Sequence, residues 1–224
     1  MNMSNCVEFY KLFYTPLWRY QYPDFHNDFP ELLDVLTKDE LYITDREKNG
    51  LQITTANLHK DKRLNKLRDF MQSCLEETMS DLGYLRDCGM TSMWATRQKS
   101  GGFHHQHSHK NSFLGGVFHF FDADKNASGT VFVNDNTSKY VIVPPVDKTK
   151  EQVFQRSEHV PFIPGTFVVF PAWLQHYTIP TECNYRIIVA CNSMPIGMTN
   201  TDHFDRYNFS DPSNMIMKEY DAKL

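Results

Sequence analysis

The chain has no apolar run long enough to cross a bilayer. Its longest apolar stretches, Gly165 to Leu174 and Ile187 to Cys191, fall far short of the roughly 20 residues that a membrane helix needs. It also has no block of like charge and no basic stripe. Twenty-three lysines and arginines stand against 27 aspartates and glutamates, for a net charge of −4, and nothing in that balance favours a nucleic-acid partner. No CxxC pair is present. The five cysteines, Cys6, Cys74, Cys88, Cys183 and Cys191, are odd in number and irregular in spacing, so they read as reduced thiols. The opening residues Met1-Asn2-Met3-Ser4-Asn5 lack the basic-then-apolar layout of a signal peptide. A cytoplasmic location is the expectation. No internal repeat, low-complexity stretch or linker divides the chain.

What remains is an ordinary globular composition, 41% hydrophobic and 22% charged over 224 residues, enough for one substantial core. A single domain over residues 1–224 is expected. It would have a helical N-terminal support over 1–89, a β core over 90–196 and a polar tail over 197–224 that wraps the body or covers an opening.

The first third reads as helical. Phe29 to Leu36 forms a short helix with Pro30 in its first turn, where a missing N–H costs little. From Asp61 to Leu82 the apolar residues Leu64, Leu67, Phe70, Met71, Cys74, Leu75, Met79 and Leu82 recur at steps of one, three and four. That spacing marks one buried face, packed on the outside of a sheet.

From Met90 the pattern changes to short apolar runs punctuated by Gly, Pro, Asn and Asp. The runs are Thr91 to Thr96, Leu114 to Phe121, Thr130 to Asn134, Tyr140 to Val143, Val153 to Phe154, Thr166 to Phe170, His176 to Ile179 and Arg186 to Asn192. The segments between them are too short for helical crossovers. A mainly β fold with flanking helices follows, a sandwich, jelly roll or barrel of the cupin kind.

Five of the ten histidines lie between positions 104 and 119: His104, His105, His107, His109 and His119. A solvated polar loop would be the plain reading. Imidazole, however, is the commonest metal ligand in proteins, and residues two apart on a strand share a face. His105 with His107, or His107 with His109, can therefore meet on one ion, whereas His104 with His105 cannot without a bend. His176 offers a third ligand. It follows the apolar run Gly165 to Leu174, on rigid backbone where a buried strand turns back. Arg186 comes ten positions later and opens the apolar run Ile187 to Asn192. A guanidinium entering so apolar a strand needs a partner. That partner is either a structural carboxylate or a dianionic cosubstrate whose carboxylate it binds in a bidentate way.

These residues resemble the 2-oxoglutarate–Fe(II) oxygenases of marine bacteria and their phages, within the prolyl-hydroxylase-like superfamily. The matching stretches are Phe13 to Trp18, Met93 to Thr96, His107 to Val117, Gly165 to His176 and Arg186 to Asn192. The resemblance implies a double-stranded β-helix core, with Fe(II) and 2-oxoglutarate as cofactors. It implies His107, His109 and His176 as metal ligands and Arg186 as the grip on the far carboxylate of 2-oxoglutarate. In such enzymes decarboxylation of the cosubstrate to succinate accompanies hydroxylation of a C–H bond.

Three positions depart from that pattern. Ser108-His109 stands where a carboxylate ligand is common, so either three histidines hold the metal or a carboxylate such as Asp122 or Asp124 arrives from elsewhere. Ile188 stands two after Arg186, where Ser or Thr often touches the cosubstrate. Phe118-His119 replaces two aromatics, and His119 reads as a donor behind the metal ligands, a cosubstrate contact or a satisfied core histidine. Trp94, Phe118, Phe132, Phe170 and Trp173 either line a dry pocket or are core. Two other functions fit the same residues: a three-histidine cupin-type metal dioxygenase that does not use 2-oxoglutarate, and a non-catalytic metal-binding β-helix module. The sequence leaves a homodimer open and names no substrate.

Overall fold

The structure is a computed structural model that describes residues 14–43, 50–84, 87–134, 156–199 and 207–209. In chain order the strands are β1 (Trp18–Gln21), β2 (Tyr42–Ile43), β3 (Leu51–Thr54), β4 (Cys88–Lys99), β5 (Leu114–Asp122), β6 (Thr130–Val133), β7 (Ser157–Val160), β8 (Thr166–Pro171), β9 (His176–Tyr177), β10 (Tyr185–Pro195), β11 (Gly197–Thr199) and β12 (Tyr207–Phe209). The α-helices are α1 (Phe25–Leu36) and α2 (Asn65–Asp81), with short 3-10 turns at Asp39–Leu41, Leu58–Lys60 and Lys62–Leu64.

Seven strands pair antiparallel in the order β1-β8-β5-β10-β4-β3-β2. A smaller sheet, β7-β6-β9, faces it. The architecture is the double-stranded β-helix, mainly β, with helices outside. The large sheet is covered on both faces, which is why β8 is buried at every position, Thr166 to Pro171. Its side chains sort by parity. Phe167 and Val169 join Phe118, Phe120, Ile187, Val189 and the helices in one core. Val168 and Phe170 join Val117, Ala190, Phe132 and Leu174 in the other, between the two sheets.

Helix α2 uses the face its sequence marks: Leu67, Met71, Cys74, Leu75 and Met79 are buried. Helix α1 begins at Phe25, a turn earlier than Pro30 suggests, and Pro30 lies inside it. Phe25 explains the early start. It is buried and packs edge-to-face on Phe29, Phe118 and Phe120, so tertiary burial outweighs the local preference of proline.

The N-terminal third is not purely helical. It adds β1, β2 and β3 to the large sheet, with β1 capping the β8 edge and β3 pairing with β4. Short strands of this kind carry too little periodicity to stand out in sequence. Strand β7 was likewise not expected: Ser157, Glu158 and His159 are exposed and only Val160 is buried, so no alternating apolar pattern marks it. The expected runs Tyr140 to Val143 and Val153 to Phe154 lie outside the described residues. Of the tail, β11 pairs with β12; the remaining tail residues lie outside the description. Among the described residues, Cys74, Cys88, Cys183 and Cys191 are free and buried, and no helix is long and apolar enough to cross a membrane.

Candidate metal centre

The segment between β4 and β5 carries the histidine run. It forms no named strand, yet it is stitched against the β8–β9 turn. His107 and His176 face each other across an antiparallel bridge in which each N–H donates to the other's carbonyl at 2.9 Å. The His109 N–H donates to Ala172 O at 2.9 Å. At the other end, the Thr178 N–H donates to His104 O at 3.1 Å, and the His104 N–H donates to the Thr178 hydroxyl at 2.8 Å.

This stitching converges three side chains. One ring nitrogen from each of His107, His109 and His176 lies within 4.8 Å of the others. Two donors on one ion with bonds of ~2.1 Å can be at most about 4.2 Å apart, so the grouping is close to a ligand set. His105 shares parity with His107 but is exposed, with its ring against Phe103. Its carbonyl instead takes the Nδ1–H of His107 at 2.7 Å.

The ring tautomers follow from these contacts. A carbonyl can only accept, so His107 Nδ1 at His105 O and His176 Nδ1 at Leu174 O (2.9 Å) carry the protons. Each Nε2 then keeps its lone pair, as metal-binding histidines require. His109 is buttressed differently. Its Nδ1 is buried without a hydrogen bond, as is the Asn192 Oδ1, and the Asn192 side chain beside it favours its protonated ring. Gly115 makes room, since a Cβ there would lie 2.8 Å from His109 Nδ1 and 2.8 Å from the Phe170 ring. Burial, then the neighbouring His107, lowers His109 to about 4 and His176 to about 3. The rings are neutral at physiological pH and suited to a cation.

No carboxylate joins this group among the described residues. Asp122 is spent on its own turn, accepting from the Asp124 N–H at 3.1 Å and the Ala127 N–H at 2.7 Å. Asp124 accepts from the Asn184 N–H at 2.6 Å. Both alternatives raised by the sequence are therefore committed elsewhere. The donor chemistry fits a borderline divalent transition metal such as iron.

Arg186 lines the same cavity as His107, His109 and His176 and is 2% exposed. Its Nε donates to Gln98 Oε1 and its Nη1 to Ser128 O. The Phe162 ring lies 5.8 Å from its Cζ. Burial lowers its pKa to about 10, which leaves it cationic at neutral pH. No ion pair to it exists among the described residues; Asp122, its register partner on β5, gives both oxygens to the turn. Gln98 continues the chain of contacts, donating through Nε2 to the Thr178 hydroxyl at 3.1 Å.

The aromatic candidates separate. Trp94 lines the cavity with its ring 5.7 Å from that of His109, and Phe132 and Phe170 pack against His176. Phe118 belongs to the opposite core, and Trp173 is 61% exposed. His119 is buried: Nδ1 meets the Ile163 N–H at 3.3 Å and the Thr166 hydroxyl at 3.2 Å, and its ring stacks on Phe162. Cavity or support residues that escaped the sequence reading include Thr96, Gln98, Thr130, Tyr177, Thr178 and Asn192. Only the pairing register could have found Thr96 and Gln98, since it sets them opposite Ile188 and Arg186.

Residues 92–192 match the family model described as "Putative 2OG-Fe(II) oxygenase". No curated protein matches the chain. Among solved structures, the fold is shared with the non-haem alpha-ketoglutarate-dependent epimerase SnoN from nogalamycin biosynthesis, with a TM-score of 0.58, 11% identity, and 80% of this chain and 78% of that one covered. It is shared with a Pseudomonas putida prolyl-4-hydroxylase, with a TM-score of 0.55, 13% identity, and 80% and 92% covered. The viral collagen prolyl hydroxylase of Paramecium Bursaria Chlorella virus-1 gives a TM-score of 0.52 at 11% identity, with 79% and 94% covered.

Proposed function

We propose that this chain, whose residues 92–192 match the 2OG-Fe(II) oxygenase family, is a non-haem Fe(II)- and 2-oxoglutarate-dependent oxygenase that hydroxylates an organic substrate. The observation that carries the reading is Arg186, a buried cation without a described carboxylate partner, in the cavity of the three grouped histidines. Burying a charge unpaired is costly, and an anionic ligand reaching from the metal to Arg186 would remove that cost.

In this reading His107, His109 and His176 hold the iron, each through a neutral imidazole. Bound iron with 2-oxoglutarate and oxygen supplies the oxidation, coupling decarboxylation to succinate and CO2 to insertion of oxygen into a C–H bond. The protein's own residues position and exclude. Arg186 binds the far carboxylate. Gln98 occupies Nε and so fixes the guanidinium plane. Trp94 and Phe170 pack on His109 and keep bulk water from the histidines. The carbonyls of His105 and Leu174 fix two of the imidazoles.

The test is to load the protein with Fe(II), add 2-oxoglutarate in air and measure succinate and CO2. Formation of both is expected, with Arg186→Ala abolishing it while the metal stays bound. Metal-replete protein that neither binds nor consumes 2-oxoglutarate would overturn the proposal.

The all-histidine donor group favours one second reading, a three-histidine metal dioxygenase that binds its substrate without 2-oxoglutarate. Under it, Arg186→Ala keeps both metal affinity and turnover.

A further inference from the structure

We propose that Thr96 is a second hydrogen-bond donor to the carboxylate that Arg186 holds, so that the far end of a 2-oxo diacid is gripped from β4 as well as from β10. This rests on the proposed use of 2-oxoglutarate and adds to it a cosubstrate-binding residue on a different strand.

The Thr96 Oγ1 is buried and has no hydrogen-bond partner, in a residue only 2% exposed. Buried hydroxyls are rarely left so, because each lost hydrogen bond costs about 1–3 kcal/mol. Thr96 lines the same cavity as Arg186 and Ile188. The β4–β10 register sets Gln98 opposite Arg186 and Thr96 opposite Ile188. Going inward from Gln98 along β4, the next group on that face is the Thr96 side chain, one two-residue step of roughly 7 Å away. Gln98 is already committed to the Arg186 Nε and the Thr178 hydroxyl.

Among the described residues, the Thr96 hydroxyl is the one buried hydroxyl left without a partner. Ile188, between the two strands that flank it, has no polar side-chain atom. On its other side His119 pairs with Ile188 in register, but it does not line the cavity among the described residues. A valine would fill the Thr96 position with nearly the same shape and would suit a strand equally well. The hydroxyl is the part of the residue that packing does not explain. A hydroxyl donating to an anion forms a charge-assisted hydrogen bond, stronger than a neutral one.

The experiment compares wild type, Thr96→Val and Thr96→Ser, each loaded with Mn(II) under anaerobic conditions. Calorimetry measures the affinity for Mn(II), for 2-oxoglutarate and for 2-oxobutyrate, which chelates a metal alike but has no far carboxylate. The expected result is that Thr96→Val weakens 2-oxoglutarate binding about tenfold and leaves Mn(II) and 2-oxobutyrate unchanged, with Thr96→Ser close to wild type. Thr96→Ala serves in place of the valine variant should that one fail to fold. Undiminished 2-oxoglutarate affinity in Thr96→Val, or an equal loss for both oxo acids, overturns the role of Thr96 alone. Wild type that binds Mn(II) but no 2-oxoglutarate overturns the proposed function, and the assignment of Thr96 with it.

Discussion

Arg186 carries a charge into an interior where Gln98 and Ser128 offer it only neutral oxygens. Its cationic state is what a dianionic ligand would use, so adding a resident anion should close the site. Gln98→Glu is expected to weaken 2-oxoglutarate binding by at least about tenfold, because a carboxylate in contact with the guanidinium neutralises it. Metal affinity should hold, and titration of both ligands checks the pair. Unchanged 2-oxoglutarate affinity would mean that Arg186 is structural. At this scale much of the site was legible in sequence. The His107-Ser108-His109 spacing, His176 and Arg186 stand out because their chemistry is unusual for their surroundings. The alternation rule allowed His105/His107 as readily as His107/His109. The structure separates them through the outward turn of His105, which no residue type announces. Thr96 and Gln98 were silent for the opposite reason, as an ordinary threonine and glutamine on a strand acquire meaning only from what lies opposite.

Elements were legible in proportion to the periodicity of their burial. Helix α2 shows one apolar face over many residues and was readable along its length. Leu67, fully buried on that face, should cost about 2–5 kcal/mol on substitution by alanine, read from the shift in a urea unfolding midpoint. A change below about 0.5 kcal/mol, the size typical of a surface site, would contradict the assigned packing. Strands β5, β8 and β10 were found as apolar runs because both their faces are covered. The short strands β1, β2 and β3 were missed, each being four residues or fewer and bordered by helical signals. The histidine segment is the instructive case. It reads as a loop and is one by its own backbone, yet hydrogen bonds to His176, Ala172 and Thr178 hold it as firmly as a strand. A sequence gives no sign of partners that lie some 70 positions away.

At the scale of the whole molecule, one sheet serves two cores. The face toward the helices is apolar, while the face toward the small sheet gives way to the histidine-lined cavity at one end. That cavity side carries the buried histidine His119. Burial, then Arg186 and Arg19, lowers its pKa from the ordinary 6.5 to about 3. Its folded pKa lies below its unfolded value, so its contribution to stability is complete above about pH 6.5 and is lost as pH falls toward 3. His59, lowered by burial and then by Lys60, acts in the same sense. Urea unfolding of metal-free protein should therefore show a lower midpoint at pH 5 than at pH 7, and His119→Gln should reduce that difference. A midpoint that rises on acidification would contradict the buried, neutral state of these rings.

In the proposed function, one 2-oxo diacid bridges the ion on the three histidines and the guanidinium of Arg186. The most direct measurement is a crystal structure of the protein with Mn(II) and 2-oxoglutarate bound. The expected result is the metal on His107, His109 and His176, chelated by the oxo acid end, with the far carboxylate on Arg186. A carboxylate side chain replacing His109 at the metal, or a far carboxylate bound away from Arg186, would contradict it.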